Sequence, residues 1–333
     1  MRKLTKIVMF VGVSALGFAS CSNKEKQENN MNTENQNNES VVYLTRNISA
    51  ENLIKIYEAL GVKAEGQVGV KISTGEGKGI HALSMDLIAP LVKKLNANII
   101  ECNTAYAGTR HNSELHRHTI KEHGWEKVAK VDILDEEGEI KLPIKDGKHL
   151  KYDIVGSHIN NYNFIVNLAH FKGHQMAGFG GVLKNQSIGF GSTNGKAYIH
   201  SAGTWEKMED LWENHVAAQD DFCESMAEAA KAIHDKFKGK IVYIAVMNNM
   251  SIDCDCNANP AKPLIKDYGI LASTDPVALD QACLDIIFNM EATKDNNTKP
   301  LIDRIKQQHG THTVDYAEKI GLGSKKYTLK KID

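Results

Sequence analysis

Short apolar runs alternate along the chain with longer segments in which apolar residues recur every three to four positions. Four short runs predict strands, and these are residues 67–72, 98–101, 163–168 and 241–247. The segments that predict helices are residues 83–95, 113–123, 205–237 and 277–287, and the segment 205–237 predicts one or two helices. Strands that alternate with helices favour an α/β fold with a largely parallel sheet and helices on both faces. We therefore predict a single compact folded region of this class.

The ends of two helices are predicted by single residues. Gly124 directly follows the segment 113–123, and glycine is the usual residue where a helix ends in the left-handed conformation. Asp275 precedes Pro276 and the apolar segment 277–287, which is typical of an N-cap residue with proline in the first turn. We therefore assign Asp275 a structural role.

The N-terminal segment has a different pattern from the rest of the chain. Three basic residues precede an apolar run at residues 7–18, and two small residues and Cys21 follow it. This order predicts a secretory signal over residues 1–20. The apolar run is too short to favour a transmembrane helix.

Cys21 resembles the lipidated cysteine of bacterial lipoproteins, although Phe18 stands where that signal usually has leucine. A simple secreted protein is the alternative. Residues 21–40 are almost entirely polar and predict a disordered tether, which leaves residues 41–333 as the folded domain. We expect an exported protein of the bacterial cell envelope whose partner is the membrane, through a lipid on Cys21.

Composition excludes few classes of protein. The chain has 42% hydrophobic and 24% charged residues, as in ordinary globular proteins. Its 40 Lys and Arg residues nearly balance its 41 Asp and Glu residues, and loss of three basic residues with the signal leaves 37 against 41, a net charge of −4. This balance argues against a nucleic-acid partner.

Five cysteines remain after Cys21, and an odd number cannot pair completely within one chain. Cys254 and Cys256 lie in the sequence Asp-Cys-Asp-Cys, where two thiols one residue apart can bind one metal ion or take part in redox chemistry. A pair of ordinary buried thiols and a disulfide between the two cysteines are the alternatives.

Polar motifs follow the predicted strands, and the carboxyl ends of parallel strands are where open α/β sheets bind ligands. His170 and His174 follow the strand 163–168, on what we predict to be a loop, and suit a metal or an anionic ligand. Two hydrogen-bonded loop histidines are the alternative.

A second group of polar residues suits an anion. Lys172, Lys184 and Arg110 follow separate predicted strands, and we expect them to share a cleft with Asn185 and Thr104. Glycines near Lys184 permit close approach of the backbone to a ligand. Ordinary surface charge is the alternative.

Several motifs together resemble one family, the domain of unknown function 362 family, whose members are often described as uncharacterised iron–sulfur centre proteins. The motifs are Phe171-Lys172-Gly173-His174, Gly178-Phe179-Gly180-Gly181, Lys184-Asn185, Cys254-Asp255-Cys256 and residues 267–282. Many members also carry a ferredoxin-like cysteine insertion, but residues 201–221 of this chain contain no cysteine. The resemblance therefore implies the core domain, and a four-iron cluster of the ferredoxin type is not expected.

Two functions are favoured by these patterns, and a purely structural or interaction role is the third alternative. The first is a metal-binding envelope lipoprotein, with iron or zinc bound by Cys254, Cys256, His170 and His174. The second is an envelope enzyme that acts on a small anionic substrate, with a histidine or a metal-bound water handling protons.

Overall fold

An eight-stranded sheet forms the centre of the molecule in the computed structural model, which describes residues 39–333. The strands are β1 (Ser40–Thr45), β2 (Val68–Lys71), β3 (Asn98–Glu101), β4 (Val131–Ile133), β5 (Glu139–Pro143), β6 (Tyr152–Gly156), β7 (Phe164–His170), β8 (Lys172–His174), β9 (Gly178–Gly180), β10 (Ile241–Met247), β11 (Gly269–Ser273) and β12 (Tyr327–Lys331). The order in the sheet is β12-β1-β11-β10-β7-β2-β3-β4. Strands β5 and β6 form one separate hairpin, and β8 and β9 form another.

Nine α-helices accompany these strands in the described part of the chain. They are α1 (Ala50–Ala59), α2 (Met85–Lys94), α3 (Ser113–His123), α4 (Val182–Phe190), α5 (Thr193–His200), α6 (Gln219–Lys236), α7 (Pro276–Asn289), α8 (Lys299–Gln307) and α9 (Gly310–Lys319). None of the helices in residues 39–333 combines the length and the apolar character of a membrane span.

The sheet is largely parallel, as predicted. Strand β11 runs antiparallel to both of its neighbours, β1 and β10, and all other pairs in the sheet are parallel. Strands β10, β7, β2 and β3 are consecutive, so their carboxyl ends lie side by side at one edge. The four predicted polar motifs follow these four strands.

Helices cover both faces of the sheet, which confirms the predicted α/β class. One apolar core packs α1, α2 and α3 against one face, through residues such as Leu53, Leu91 and Ile120. The other core packs α4 and α6 to α9 against the opposite face. Both faces of the central strands are therefore buried, which matches their nearly continuous apolar sequences.

Helix ends set by local chemistry agree with the sequence prediction. Gly124 follows α3 in the left-handed conformation, with φ of 80°. Asp275 caps α7, because its Oδ1 accepts hydrogen bonds from the backbone N–H groups of Val277 (2.8 Å) and Ala278 (3.1 Å).

One prediction of local structure was wrong. The segment 170–174 is extended rather than a loop, because β8 pairs with β9. The segment 205–237 contains two helical elements, a short π-helical turn at Leu211–His215 and helix α6. The predicted signal and Cys21 lie outside the described residues.

Candidate functional site

A cavity of about 580 Å³ lies at the edge formed by the carboxyl ends of β2, β3, β7 and β10. All nine residues that the sequence nominated within the described region line this cavity. They are Thr104, Arg110, His170, Lys172, His174, Lys184, Asn185, Cys254 and Cys256. The topology therefore brings together motifs that are up to about 150 residues apart in the sequence.

The extended conformation of the segment 170–174 explains how it contributes three side chains. His170, Lys172 and His174 occupy alternate positions of the chain, and alternate residues of an extended strand point to the same side. All three are buried and line the cavity. Gly173 lies on the other side, so close to the carbonyl of Ile252 that a Cβ would come within 2.2 Å of its oxygen. This contact holds β8 against the loop that carries the two cysteines.

Asp255, between the two cysteines, is neutralised by its neighbours. Its carboxylate forms an ion pair with Lys172 and lies 3.1 Å from His170 Nδ1. Burial would raise the pKa of Asp255, but the charges of Lys172 and His170 outweigh it and hold that pKa well below its usual value.

His170 is therefore a partner of Asp255 rather than a free ligand. Its Nδ1 faces Asp255, and its Nε2 lies 2.6 Å from the carbonyl oxygen of Asn248. Because both ring nitrogens are engaged, the structure does not place His170 in the group of candidate metal ligands that the sequence predicted.

His174 has a defined tautomer. Its Nδ1 accepts hydrogen bonds from the backbone N–H groups of Met176 (3.2 Å) and Ala177 (3.0 Å). Burial and the charge of Lys184 lower its pKa well below the usual value, so the ring is neutral and its proton is on Nε2. This Nε2–H faces Cys256, with 3.9 Å between Nε2 and Sγ.

Cys254 and Cys256 are joined as a disulfide, with 5.2 Å between their Cα atoms. The ligand atoms of Cys254, Cys256 and His174 all lie within 4.8 Å of one another, so this group could also hold a metal ion. Metal binding would require the reduced cysteines and an Nε2 of His174 without its proton.

Three lysines around the cavity have no carboxylate partner among residues 39–333. Lys71 donates to the carbonyl of Ile72 (2.7 Å) and to Asn185 Oδ1 (3.2 Å), and Lys196 donates to the carbonyl of Gly191 (2.5 Å). In that same range, Lys184 Nζ has neither a hydrogen-bond partner nor an ion-pair partner.

Burial changes the pKa values of two of these lysines, Lys71 and Lys184. Burial lowers the pKa of Lys71 to about 8. Burial, together with the charges of Lys172 and Lys71, lowers the pKa of Lys184 to about 7. The absence of a side chain at Gly189 makes room for Lys71, since a Cβ there would lie 2.7 Å from Lys71 Cε.

Arg110 lines the cavity but does not offer a free charge, which differs from the sequence prediction. Its Nε donates to Glu76 Oε2 (3.0 Å), and its Nη1 donates to Glu101 Oε1 (2.7 Å). Burial would raise the pKa of Glu101, yet Arg110 and His116 hold that pKa well below its usual value. Arg110 therefore joins the loops after β2 and β3.

Asn185 and Thr104 also have internal partners. The amide of Asn185 donates to Asn167 Oδ1 (2.7 Å), and its oxygen accepts from Lys71 (3.2 Å). The backbone N–H of Thr104 donates to the carbonyl of Arg110 (2.9 Å). These contacts give both residues a part in shaping the cavity wall.

Sequence reasoning missed Lys71, Lys196 and His200, which also line the cavity. A lysine within the apolar run 67–72 was a signal for Lys71, because a strand buried on both faces rarely contains an unpaired charge. His200 Nδ1 donates to the carbonyl of Lys196 (2.7 Å), and burial lowers its pKa to about 4. The neutral ring therefore keeps an unprotonated Nε2, complementary to the Nε2–H of His174.

A family model described as a domain of unknown function (DUF362) matches residues 68–285, about two thirds of the chain. The chain belongs to this family. The match confirms the family resemblance that the sequence motifs indicate. The cavity residues that the sequence nominated all lie within the DUF362 region.

Two solved structures show limited similarity to this DUF362 protein. A Thermotoga maritima protein, a structural genomics target, has a TM-score of 0.40 and 12% identity over 81% of this chain and 58% of that chain. The lactate racemase apoprotein of Thermoanaerobacterium thermosaccharolyticum has a TM-score of 0.39 and 12% identity over 62% of this chain and 50% of that chain. The chain thus spans less than two thirds of either structure. No curated protein matches it.

Proposed function

We propose that this DUF362 protein binds a small anionic molecule in the cavity at the carboxyl edge of its sheet, and does so as a lipid-anchored protein of the cell envelope. The observation that carries the binding proposal is the trio of Lys71, Lys184 and Lys196, which lack carboxylate partners in residues 39–333. Lys71 and Lys196 are buried and Lys184 is partly buried. A cation withdrawn from water without a counter-ion is unfavourable, and a bound anion would relieve that penalty.

The size of the cavity supports a small molecule as the ligand. Its volume of about 580 Å³ is in the range of ordinary small-molecule sites. Lysine ammonium groups bind carboxylate and phosphate groups as point charges. The ligand class is therefore a small molecule with one or more carboxylate or phosphate groups.

The two neutral histidines would suit an enzyme that acts on such an anion. Both histidines line the cavity, His174 with a protonated Nε2 and His200 with an unprotonated one, so one could stabilise developing negative charge while the other accepts a proton. This pairing favours an enzyme over a simple binding protein.

Calorimetric titration of the purified chain with succinate and with inorganic phosphate tests the binding proposal and distinguishes the two anion types. We expect saturable binding of at least one of them, weakened at least about tenfold by Lys184→Met, equivalent to about 1.4 kcal/mol. Lys238→Met is the matched control, because Lys238 is exposed. Failure of both anions to bind the wild type would contradict the proposal, and so would equal affinity in Lys184→Met.

A metal site is a second candidate, favoured by the convergence of Cys254, Cys256 and His174. Thiolate and imidazole ligands suit iron or zinc. Metal analysis of reduced protein, purified without an affinity tag, tests it. About one ion per chain in the wild type and none in the double variant Cys254→Ser, Cys256→Ser would support the site, whereas negligible metal in both would exclude it.

A further inference from the structure

The anion proposal leaves the pair Cys254 and Cys256 without a role, and the pair differs from the other described cysteines. Cys223 and Cys283 are buried and do not line the cavity. Cys102 lines it, but its thiol donates to the carbonyl of Phe190 (3.2 Å), and burial raises its pKa. Among the cysteines of residues 39–333, the disulfide of Cys254 and Cys256 is therefore the one that a molecule in the cavity can reach.

The two sulfurs of the pair have different surroundings. Cys254 is only 5% exposed, whereas Cys256 is partly exposed. The backbone N–H of Cys256 donates to Cys254 Sγ (3.3 Å), and the Nε2–H of His174 points at Cys256 Sγ. The difference in exposure means that a nucleophile in the cavity reaches Cys256 first, and the backbone N–H of Cys256 is placed to stabilise Cys254 as the leaving thiolate.

The charges around Cys254 and Cys256 permit either sulfur to become a thiolate. Asp255 lies between the cysteines, but its carboxylate is neutralised by Lys172 and His170, so it does not repel a thiolate strongly. Positively charged surroundings stabilise thiolates, and the unpartnered lysines supply such surroundings here. The same lysines favour an anionic reaction partner over a neutral or cationic one.

We propose that Cys254 and Cys256 form a thiol–disulfide exchange centre whose substrate is a small anionic thiol or its disulfide. The exchange itself rests on the geometry of the pair. The anionic character of the substrate rests on the proposed function.

The complete reaction uses two thiol groups of the substrate, one after the other. The first substrate thiolate attacks Cys256 Sγ, the Cys254–Cys256 bond breaks, and its electron pair goes to Cys254 Sγ as a thiolate. A second substrate thiolate then attacks the substrate sulfur of this mixed disulfide, and Cys256 leaves as a thiolate. Two substrate thiols are oxidised to one disulfide and the protein disulfide is reduced to a dithiol, which takes up the two protons that the thiols lost. A second molecule of substrate disulfide reverses these steps.

Mass spectrometry of single-cysteine variants of the full chain tests which sulfur reacts. Each variant is incubated with the disulfide form of mercaptosuccinate. We expect the adduct on Cys256 in Cys254→Ser to form at least about tenfold faster than the adduct on Cys254 in Cys256→Ser. Cys283→Ser, which keeps the pair, serves as the control and, once its pair is reduced, should react as the reduced wild type does. Equal rates in the two variants, or a faster reaction at Cys254, would overturn the assigned order.

A comparison of three thiols tests the substrate class on the wild type, without any variant. Reduction of the pair is followed with mercaptosuccinate, 2-mercaptoethanol and cysteamine at equal thiolate concentration. We expect mercaptosuccinate to react at least about tenfold faster than the neutral thiol, and cysteamine to be the slowest. Lys184→Met should reduce the preference for mercaptosuccinate over 2-mercaptoethanol, whereas the exposed-lysine control Lys238→Met should leave that preference unchanged.

The outcomes separate this inference from the proposed function. If succinate binds but no thiol reduces the pair, the exchange centre is wrong and the anion site stands. Reduction by all three thiols at equal rates would refute the anionic substrate while supporting the exchange. A reduced pair that holds one metal ion per chain and does not re-form its disulfide would refute the exchange and support the metal site.

Discussion

Lys172 and Lys184 are both cations of the same cavity, yet their substitution should have opposite effects on stability. Lys172 is paired with the buried carboxylate of Asp255, whereas Lys184 has no partner in the described part of the chain. We expect Lys172→Met to destabilise the fold by about 3–5 kcal/mol, because it leaves Asp255 buried with its cation removed. Lys184→Met should leave stability unchanged or increase it.

Urea unfolding of both variants at several pH values checks this contrast. The folded pKa of Lys184 is about 7, below the value of about 10.4 in an unfolded chain, so the unfolded state binds more protons between these two pH values. The contribution of Lys184 to the stability of the wild type therefore rises with pH between its folded and its unfolded pKa. The advantage of Lys184→Met should be largest below about pH 7 and vanish near pH 10.4. A loss of stability in Lys184→Met at pH 6 would contradict the assignment of an unpaired lysine.

Anion binding should show the opposite pH dependence. The protonated ammonium of Lys184 attracts the anion, and the protonated fraction falls as pH rises through about 7. We expect the affinity for succinate to decrease from pH 6 to pH 9 in the wild type, by at most tenfold per pH unit for each proton coupled to binding. In Lys184→Met the affinity should fall at a higher pH, near the pKa of Lys71 at about 8. Calorimetry at pH 6, 7, 8 and 9 measures this, and identical pH profiles in the two proteins would argue against a role for Lys184 charge.

The residues of the site were only partly predictable from the sequence, for a physical reason. Lys172 and Lys184 follow recognisable motifs, so their position at the carboxyl edge could be inferred. Whether a cation is free depends on partners distant in sequence, and Arg110 is occupied by Glu76, 34 residues away. Lys71 reaches the cavity from within a strand, with space made by the distant Gly189. Such pairings depend on the packed structure rather than on local pattern.

At the scale of elements, the short hairpin of β8 and β9 joins the histidines to the loop that carries the two cysteines. Two glycines of this hairpin, Gly173 and Gly180, form a matched pair for a test of its packing. A Cβ at Gly173 would come within 2.2 Å of the backbone oxygen of Ile252, whereas one at Gly180 would meet only the oxygen of Lys172, at 4.0 Å. We expect Gly173→Ala to destabilise the protein by about 1–3 kcal/mol, because backbone must move to admit the methyl group. Gly180→Ala should change stability by less than about 0.5 kcal/mol.

Denaturant unfolding of the two glycine variants measures the difference, and near-ultraviolet circular dichroism reports whether the tertiary packing of each is retained. Equal stability of Gly173→Ala and Gly180→Ala would show that β8 is not held by its contact with Ile252. A selective loss in Gly173→Ala would link the hairpin to the position of Cys254 and Cys256.

Elements with local signals were predicted well and elements with distant partners were not. Helix α3 and strands β3 and β10 match the predicted bounds, since a cap or a continuous apolar run defines each of them. Strands β8 and β9 contain only three residues each, and their extended form depends on pairing with each other. The antiparallel direction of β11 likewise depends on its neighbours β1 and β10, which no local pattern specifies.

At the scale of the whole molecule, the two apolar cores allow a polar site at the edge of the sheet. Each core buries one face of the same strands, so the strands themselves are fixed by packing on both sides. The loops after β2, β3, β7 and β10 are free to carry charged side chains at the point where the strands end. The apolar packing that holds the strands therefore lies away from the cavity, and this explains why Lys184 can remain unpaired without loss of the fold.

Substitution of Cys21 tests whether the protein is anchored to the membrane. The basic start, short apolar run and small residues before Cys21 predict lipidation of that cysteine after export, and several acyl chains together give a stable membrane anchor. We expect the wild type in the membrane fraction and Cys21→Ser in the soluble fraction, with Ser22→Ala as the control that keeps the cysteine. Succinate binding by Cys21→Ser should equal that of the wild type, because the cavity is formed by residues after Val70. Retention of Cys21→Ser in membranes after a high-salt wash, or a soluble wild type, would refute the anchor.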